Sequence, residues 1–331
     1  MSNPIRVLQY GLGPIGCAMA RHILERSGLE LVGGVDVDPN KVGKDLGQAI
    51  GAGRDLNMKV APKLADVKKT TKFDVVLHTT NSYFDLFKPQ IIEILEEGYD
   101  IVSTSEELSF PWIAHAKDAE DINKAAKKVG KTVLATGVNP GFLMDALPLM
   151  LTAICQRVDR IEVLRLMNAS ERRGPFQKKI GCGMTVEEFK KEMAKGRMGH
   201  VGLSESVGMV FDTLSKKLVR FETIVEPVVA DKITKSAFFN VKPGFVRGLK
   251  QVAQAYSPEG EFLTLTFIAT LGEPDQHDHI KITGQPNLEV RLTGTNGDIA
   301  TIAIAVNAIR RVFNGPPGLM TMRDLPIVTT W

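Results

Sequence analysis

Short apolar runs alternate with amphipathic stretches over the first 140 residues. The stretches between the runs carry apolar positions at helical spacing, and Gly98 and Gly130 end two of these predicted helices. Strands that alternate with helices are typical of a parallel, doubly wound α/β sheet. The predicted strands are residues 5–10, 29–35, 73–78, 100–103 and 132–136.

The pattern changes after Gly141. Apolar residues then recur at every second position in several segments with few helices between them, which predicts an α+β region with a mainly antiparallel sheet. A polar stretch rich in Gly, Lys and Arg, residues 168–202, predicts a binding loop or lid around a short helix at 185–195. Residues 298–313 have the length of a buried helix. The predicted strands are residues 160–167, 219–226, 262–271, 279–284 and 288–293.

These patterns predict three parts of the chain. Residues 1–140 form a dinucleotide-binding domain, residues 141–297 form an α+β domain for substrate binding and dimerisation, and residues 298–331 form a segment that returns to the first domain.

Composition narrows the class of protein. The 331 residues are 44% hydrophobic and 24% charged, with a net charge of +3, which is ordinary for a globular protein and is no signature of nucleic-acid binding. The three cysteines have no C-x-x-C spacing, which favours a reducing compartment. Since no apolar run is long enough to span a bilayer and no leader precedes the first strand, we expect a cytoplasmic protein without a membrane partner.

The turn after the first strand has the spacing G-x-G-x-x-G. Gly11 permits a tight turn, Gly13 lets the backbone approach a pyrophosphate, and Gly16 allows close packing of helix and strand. Pro14 and Ile15 stand between them at the predicted start of the helix, where free N–H groups and the helix dipole attract anions. The motif predicts a Rossmann domain that binds a dinucleotide.

An acidic residue ends the second predicted strand. Asp36 lies 20 residues after Gly16, where a carboxylate accepts hydrogen bonds from the ribose of NAD. A 2′-phosphate would be repelled there, whereas Lys41 would attract it. The sequence therefore favours NAD and leaves NADP open.

Polar segments follow three further strands of the predicted parallel sheet, whose carboxyl ends are where such sheets bind ligands. The first segment is assigned to the cofactor, and it consists of Thr79, Thr80, Asn81 and Ser82. The third, residues 137–142, contains Asn139 and Phe142, which we assign to the substrate. A simple interdomain hinge would explain its Pro and Gly equally well.

The second of these segments supplies the strongest catalytic candidates. Glu106 and Glu107 follow the strand at 100–103, where a carboxylate would face the nicotinamide end of a bound cofactor. Their alternative role is to stabilise the start of a helix through its dipole.

Candidates in the second domain are basic or polar. Arg172, Arg173, Lys178 and Lys179 concentrate positive charge on the predicted lid, where Arg173 in particular would bind a substrate carboxylate, although a solvated loop has the same composition. His200 is a further pocket candidate with a packing role as its alternative. No metal is expected, because His277 and His279 read as a polar turn without further ligands.

Taken together, these motifs resemble the 2,4-diaminopentanoate dehydrogenase and native amine dehydrogenase family, within the dihydrodipicolinate reductase-like group. The resemblance covers nearly the whole chain, whereas the His-His-x-x-Lys signature of dihydrodipicolinate reductase itself is absent. Its motifs are Gly11-Leu12-Gly13-Pro14-Ile15-Gly16, Thr104-Ser105-Glu106-Glu107-Leu108, Thr136-Gly137-Val138-Asn139-Pro140-Gly141-Phe142, residues 177–183, residues 199–202 and residues 316–326.

The resemblance implies a homodimer that carries out reversible NAD(P)-dependent oxidative deamination of an amine to a ketone and ammonia. It also implies a strand-end glutamate as the acid–base residue, a role that goes to Glu106 with Glu107 as the second choice. Asn168 is placed in the substrate site, although it departs from the family pattern, in which an Asp is expected.

Two other functions stay open at the sequence level. The same fold would serve a reductase of C=N or C=O bonds that does not use ammonia, and it would serve a non-catalytic NAD(P)H sensor. The basic lid and the glutamate pair favour the amine dehydrogenase, in which a carboxylate takes a proton from the substrate ammonium and later guides water onto the imine.

Overall fold

The computed structural model describes residues 3–196 and 198–331. The chain forms two compact units. The first contains the chain up to Phe142 together with Asn296–Trp331, and the second is Leu143–Thr295. The first unit is therefore discontinuous along the chain, whereas the second is continuous.

A parallel sheet forms the centre of the first unit. Its strands lie in the order β14-β5-β4-β3-β1-β2, and each neighbouring pair is parallel. The C-terminal strand β14 pairs with β5 at one edge. The strands are β1 Ile5–Tyr10, β2 Leu29–Val35, β3 Val75–His78, β4 Asp100–Ser103, β5 Thr132–Ala135 and β14 Gly318–Met320.

Both faces of this sheet are covered. Successive residues of a strand point to opposite faces, and Val75 and Val76 accordingly belong to two separate hydrophobic clusters. Helices α1 and α10 pack on one face and α4 and α5 on the other. This confirms the predicted doubly wound α/β class. The helices are α1 Pro14–Leu24, α2 Leu46–Ile50, α3 Leu64–Lys68, α4 Phe84–Glu96, α5 Ala116–Val129 and α10 Gly297–Phe313.

The second unit is built on a mixed sheet with the strand order β13-β12-β6-β11-β10-β7. β6 and β11 are parallel, and the other neighbouring pairs are antiparallel, which confirms a mainly antiparallel sheet. β8 and β9 form a separate short hairpin ladder. The strands are β6 Arg157–Asn168, β7 Arg220–Val229, β8 Thr234–Lys235, β9 Asn240–Val241, β10 Val246–Ser257, β11 Gly260–Thr270, β12 His277–Gln285 and β13 Leu288–Thr293.

The predicted lid is more regular than its composition suggests. Buried Gln177 holds it together, because its amide group donates to the Arg172 carbonyl at 2.8 Å and accepts from the Ser236 hydroxyl at 2.6 Å.

Within the described residues, no helix combines the length and the apolar character needed to cross a bilayer. The helices of the unit are α6 Ala146–Thr152, α7 Gly174–Lys179, α8 Val186–Ala194 and α9 Leu203–Thr213.

Candidate functional site

The glycine turn between β1 and α1 has the geometry that its spacing predicts. Gly11 has φ +93°, and a side chain there would collide with the Thr79 carbonyl. A side chain at Gly16 would collide with the Gly11 carbonyl oxygen, so helix and strand approach each other closely. At Gly13 an added Cβ would meet no atom within 4 Å, which leaves the backbone open on that side.

The start of α1 provides an anion site beside this open backbone. Gly13 is the N-cap and Pro14 occupies the first turn, where its missing N–H costs nothing. The N–H groups of Ile15 and Gly16 precede the first intrahelical bond, which runs from the Cys17 N–H to the Gly13 carbonyl at 2.9 Å. These N–H groups and the positive end of the dipole suit a pyrophosphate.

Asp36 follows β2 directly and reaches the glycine turn. Its carboxylate accepts the N–H of Leu12 at 2.6 Å and that of Asp38 at 2.8 Å. Lys41 donates to the Leu12 carbonyl at 2.6 Å, and its ammonium lies 3.9 Å from the Asp36 carboxylate. Both side chains thus fix the turn.

The segment after β3 is tied to its surroundings by side chains. The Thr79 hydroxyl donates to the Gly11 carbonyl at 2.8 Å, and the Thr80 hydroxyl donates to Gln90 at 2.6 Å. Asn81 accepts the N–H of Tyr83 at 3.1 Å, and the Ser82 carbonyl accepts the N–H of Glu107 at 3.3 Å. The structure therefore brings this segment against both the glycine turn and the glutamate pair.

A buried histidine at the end of β3 was not among the predicted site residues. His78 is fully buried, with Nε2 2.8 Å from the Gln90 amide oxygen and Nδ1 3.0 Å from the Ser103 hydroxyl. Because the amide oxygen can only accept, Nε2 carries the proton and Nδ1 accepts. The Ser103 oxygen in turn accepts the N–H of Ser105 at 3.1 Å. Burial lowers the pKa of His78 to about 4.

The two adjacent glutamates have different surroundings. The Glu107 carboxylate accepts the N–H of Phe84, the first residue of α4, at 2.5 Å and lies 3.6 Å from His115. It therefore stabilises the start of α4, which is a different helix from the one expected to begin at the glutamate pair. Glu106 instead lines a cavity, and its carbonyl accepts the Ser109 hydroxyl at 2.8 Å.

This cavity has a volume of about 60 Å³ and lies at the carboxyl ends of β4 and β5. Besides Glu106, it is lined by Ser105, Thr136, Asn139 and Thr301. Asn139 is buried, and the Thr301 hydroxyl accepts the N–H of Val138 at 3.2 Å. The cavity brings together two predicted site residues, Glu106 and Asn139.

A glycine shapes the far side of the cavity wall. Gly141 has φ +119°, and an added Cβ would lie 2.7 Å from the Thr136 hydroxyl oxygen. Any side chain at this position would be strained and would press on Thr136. Phe142, the other predicted residue of this segment, is half-buried in the turn that follows.

The basic candidates of the second unit have distinct environments. Arg172 lies over the ring of Phe176 at 4.5 Å and donates to the Met167 sulfur at 3.3 Å. Arg173 is the N-cap of α7 and is half-buried, whereas Lys178 is exposed. Arg172 thus packs against neighbouring side chains of its own segment.

His200 and Asn168 both take part in local structure. The His200 ring stacks on Phe267 at 4.7 Å, and its backbone N–H and carbonyl pair with the amide of buried Gln251 at 2.6 and 3.1 Å. The Asn168 side chain accepts the N–H of Ser170 at 3.0 Å and so caps a short 3₁₀ helix.

A buried ion pair in the second unit was not predicted. Arg165 on β6 and Asp278 on β12 are opposite each other, nearly unexposed, and 3.8 Å apart. Burial lowers the pKa of Arg165 and raises that of Asp278, and each group opposes the shift of the other. The segment of His277 and His279 is therefore not a polar turn but the first part of strand β12.

Known proteins are similar to this chain in sequence and in architecture. A family model described as the 2,4-diaminopentanoate dehydrogenase C-terminal domain matches residues 142–331. A 2,4-diaminopentanoate dehydrogenase from Acetoanaerobium sticklandii is 34% identical over 333 residues, which cover 98% of this chain and 94% of the relative.

Solved structures agree with these matches. The amine dehydrogenase from Mycobacterium smegmatis superposes with a TM-score of 0.87 at 25% identity, over 99% of this chain and 97% of its own. The myo-inositol dehydrogenase from Lactobacillus casei, solved with NAD(H) and myo-inositol, has a TM-score of 0.59 at 13% identity over 97% and 90% of the chains, and so shares the fold. The resemblance drawn from the motifs is confirmed: the chain belongs to the 2,4-diaminopentanoate dehydrogenase family.

Proposed function

We propose that this protein is an NAD(P)-dependent amine dehydrogenase that converts 2,4-diaminopentanoate or a related amine reversibly to a ketone and ammonia. The family supports oxidoreductase chemistry on an amine carbon. The observation that carries the proposal to this chain is the placement of Glu106 in a cavity at the carboxyl ends of β4 and β5, on the sheet that also carries the glycine turn.

The residues around the glycine turn fit the cofactor. The open backbone at Gly13 and the N–H groups at the start of α1 would hold the pyrophosphate, and Asp36 would hold the adenosine ribose. When bound, the nicotinamide supplies the hydride chemistry. We assign NAD as the preferred form, because the Asp36 carboxylate repels a 2′-phosphate and Lys41 is already bonded to the Leu12 carbonyl.

Glu106 is the proposed acid–base residue. An amine enters mostly as ammonium and cannot release hydride until it loses a proton, which the Glu106 carboxylate would accept. After oxidation, Glu106 would release this proton to solvent and, again as a carboxylate, would take a proton from the water that attacks the iminium carbon. Glu107 is assigned the separate task of fixing the start of α4 against this segment.

Residues of the second unit are also proposed to bind substrate. Arg173 would pair with a substrate carboxylate, because the substrate in the relative's name, 2,4-diaminopentanoate, carries one. Asn168 and His200 would also contact the substrate. We also propose that Asn139 and Phe142 contact substrate from the first unit. If Arg173 is the anchor, then Arg173→Leu raises KM for acidic amines and leaves KM for neutral amines unchanged.

A homodimer in the cytoplasm is proposed. The edge strand β7 exposes the apolar side chains of Phe221, Ile224 and Val229, which a second copy of the chain would cover. Free cysteines and the small net charge suit a reducing compartment and argue against nucleic-acid partners. Light scattering of the purified protein and of Ile224→Arg tests the dimer, which the variant should weaken.

One assay tests the activity. NADH and NADPH absorbance is followed with ketones, oxo acids and cyclic imines, each with and without ammonium. Consumption that requires ammonium supports the amine dehydrogenase. Consumption without ammonium would identify a C=O or C=N reductase, and tight cofactor binding without consumption would identify a sensor.

A further inference from the structure

The proposed mechanism does not use the hydroxyl groups of Ser105 and Thr136. Both residues line the cavity beside Glu106, and they are 1% and 3% exposed. Within residues 3–196 and 198–331, neither hydroxyl oxygen has a hydrogen-bond partner. Buried hydroxyls are nearly always paired, since one without a partner loses the hydrogen bonds that it makes with water in the unfolded chain.

Neighbouring hydroxyls of the same wall are engaged. Ser109 donates to the Glu106 carbonyl at 2.8 Å, and Thr301 accepts the N–H of Val138 at 3.2 Å. The backbone groups around Ser105 and Thr136 are also paired, through the Ser103 hydroxyl at 3.1 Å and the Ser103 carbonyl at 2.9 Å. The polar groups around the two hydroxyls thus have hydrogen-bond partners, and the Ser105 and Thr136 hydroxyls are available to bind a ligand.

The size of the cavity limits that ligand. Its volume is about 60 Å³, and one water needs roughly 10–15 Å³ measured in this way. The cavity therefore has the size for a few molecules of water or ammonia and is too small to enclose the carbon chain of an amine substrate. Its lining of a carboxylate and two hydroxyls offers acceptors for N–H or O–H groups and donors for a lone pair.

We propose that Ser105, Thr136 and Glu106 form the binding site for the small nucleophile of the reaction, which is ammonia in the amination direction and water in the deamination direction. The inference rests on the proposed function. In amination, the hydroxyls orient ammonium so that Glu106 takes one proton, and the nitrogen lone pair forms the C–N bond while the carbonyl π electrons pass to oxygen. A proton then moves from nitrogen to this oxygen, Glu106 returns its own proton to it, and it leaves as water, so that the iminium to be reduced remains. In deamination, water forms the C–O bond while the iminium π electrons pass to nitrogen, and it gives one proton to Glu106. Glu106 passes this proton to the nitrogen, which leaves as ammonium when the C–N bond breaks, the hydroxyl gives up its proton and the C=O bond forms.

The test separates the hydroxyl from the shape of its side chain. Thr136→Val keeps the shape and removes the hydroxyl, whereas Thr136→Ser keeps the hydroxyl. Ser105→Ala removes the second hydroxyl. Thr132→Val removes a buried hydroxyl from the other end of β5, where it donates to the Pro316 carbonyl at 2.8 Å, and so controls for general effects of such a change.

We expect KM for ammonium to rise roughly tenfold or more in Thr136→Val and in Ser105→Ala, as for the loss of a hydrogen bond to a charged group. KM for the ketone and Kd for NADH should stay within about twofold, and Thr136→Ser and Thr132→Val should resemble the wild type. In the deamination direction, the same two hydroxyl deletions should lower kcat without raising KM for the amine.

Three results would overturn the inference. KM for ammonium unchanged in both hydroxyl deletions would remove the site, while ammonium-dependent turnover of the wild type would leave the proposed function standing. An equal rise in KM for the ketone would assign the cavity to the carbonyl substrate. A wild type that consumes cofactor without ammonium would overturn the proposed function and this inference together.

Discussion

The two sheets place their buried polar groups in different ways. In the parallel sheet of the first unit, Glu106, Ser105 and Thr136 gather just beyond the ends of the strands. In the mixed sheet of the second unit, Arg165 and Asp278 are paired within the strands themselves, on the core face.

The difference reflects strand direction. All carboxyl ends of a parallel sheet lie at one edge, so the loops that follow them converge and produce a site that can be foreseen from the chain order. Antiparallel neighbours send their loops to both edges, so that no single edge collects polar residues. A buried polar group in such a sheet must then find its partner across the strands, and this makes it chiefly a matter of stability.

The largest expected effect is catalytic. Glu106→Gln should lower kcat for amine oxidation on the order of a hundredfold or more, because it removes the proposed proton acceptor. Glu107→Gln should retain far more activity and should instead lower the melting temperature, because it weakens a charge-assisted bond to the Phe84 N–H. Steady-state kinetics and thermal unfolding of both variants check this. The reverse ranking of kcat would exchange the two roles.

The next largest effect concerns the second sheet. Arg165→Met leaves Asp278 buried without its partner, and we expect a loss of about 3–5 kcal/mol in the free energy of unfolding. Denaturant titration measures it. The double variant that combines Arg165→Met with Asp278→Leu should recover most of the lost free energy of unfolding. The matched control is Arg291→Met, since the Arg291–Asp275 pair is exposed and should be worth under about 1 kcal/mol. A similarly small effect for Arg165→Met would contradict the assignment.

His78 should make the stability of the first unit dependent on pH. Its folded pKa of about 4 lies below the ordinary value of 6.5, so the unfolded chain binds the proton more readily between these values. The stabilisation of the folded state by neutral His78 is complete above pH 6.5 and is lost as pH falls towards 4. The free energy of unfolding should fall by about 3 kcal/mol in total over this range. Unfolding free energies measured at several pH values should show this slope in the wild type and a flatter one in His78→Gln. Equal slopes would contradict it.

The smallest expected effect is on cofactor choice. Asp36→Ser removes the charge that repels a 2′-phosphate, and the ratio of kcat/KM for NADPH to that for NADH should rise roughly tenfold. Lys41→Ala should lower this ratio or leave it unchanged. A rise in Lys41→Ala would mean that the lysine, and not the aspartate, governs the choice.

Much of the first unit was predictable because its signals are local. The glycine spacing, Asp36 and the apolar runs each act within a few residues, and the helix predicted at 298–313 is found as Gly297–Phe313. Strand β10 was missed since its core positions include small residues such as Gly248, Ala253 and Ala255, whose apolar signal is weak. Helix α9 was missed beside the polar stretch that precedes it.

The site was predictable only in part. The strand-end position of Glu106 pointed to it, but the division of labour with Glu107 depends on the distant N–H of Phe84. The cavity depends on the pairing of β4 with β5, in which Ser103 lies beside Ala135, and this long-range pairing is not revealed by any local pattern. Arg165 did leave a signal, because it falls in phase with Ile161, Val163 and Met167, the core-facing positions of β6.

The discontinuity of the first unit affects the order in which the protein folds as it is synthesised. The second unit, Leu143–Thr295, is continuous and can fold as soon as it has left the ribosome. The first unit must wait for Asn296–Trp331, because these residues supply the edge strand β14 and the helix α10 that covers one face of its sheet. Until then, apolar side chains of that face are exposed, so that the half of the molecule that begins first is the half that matures last.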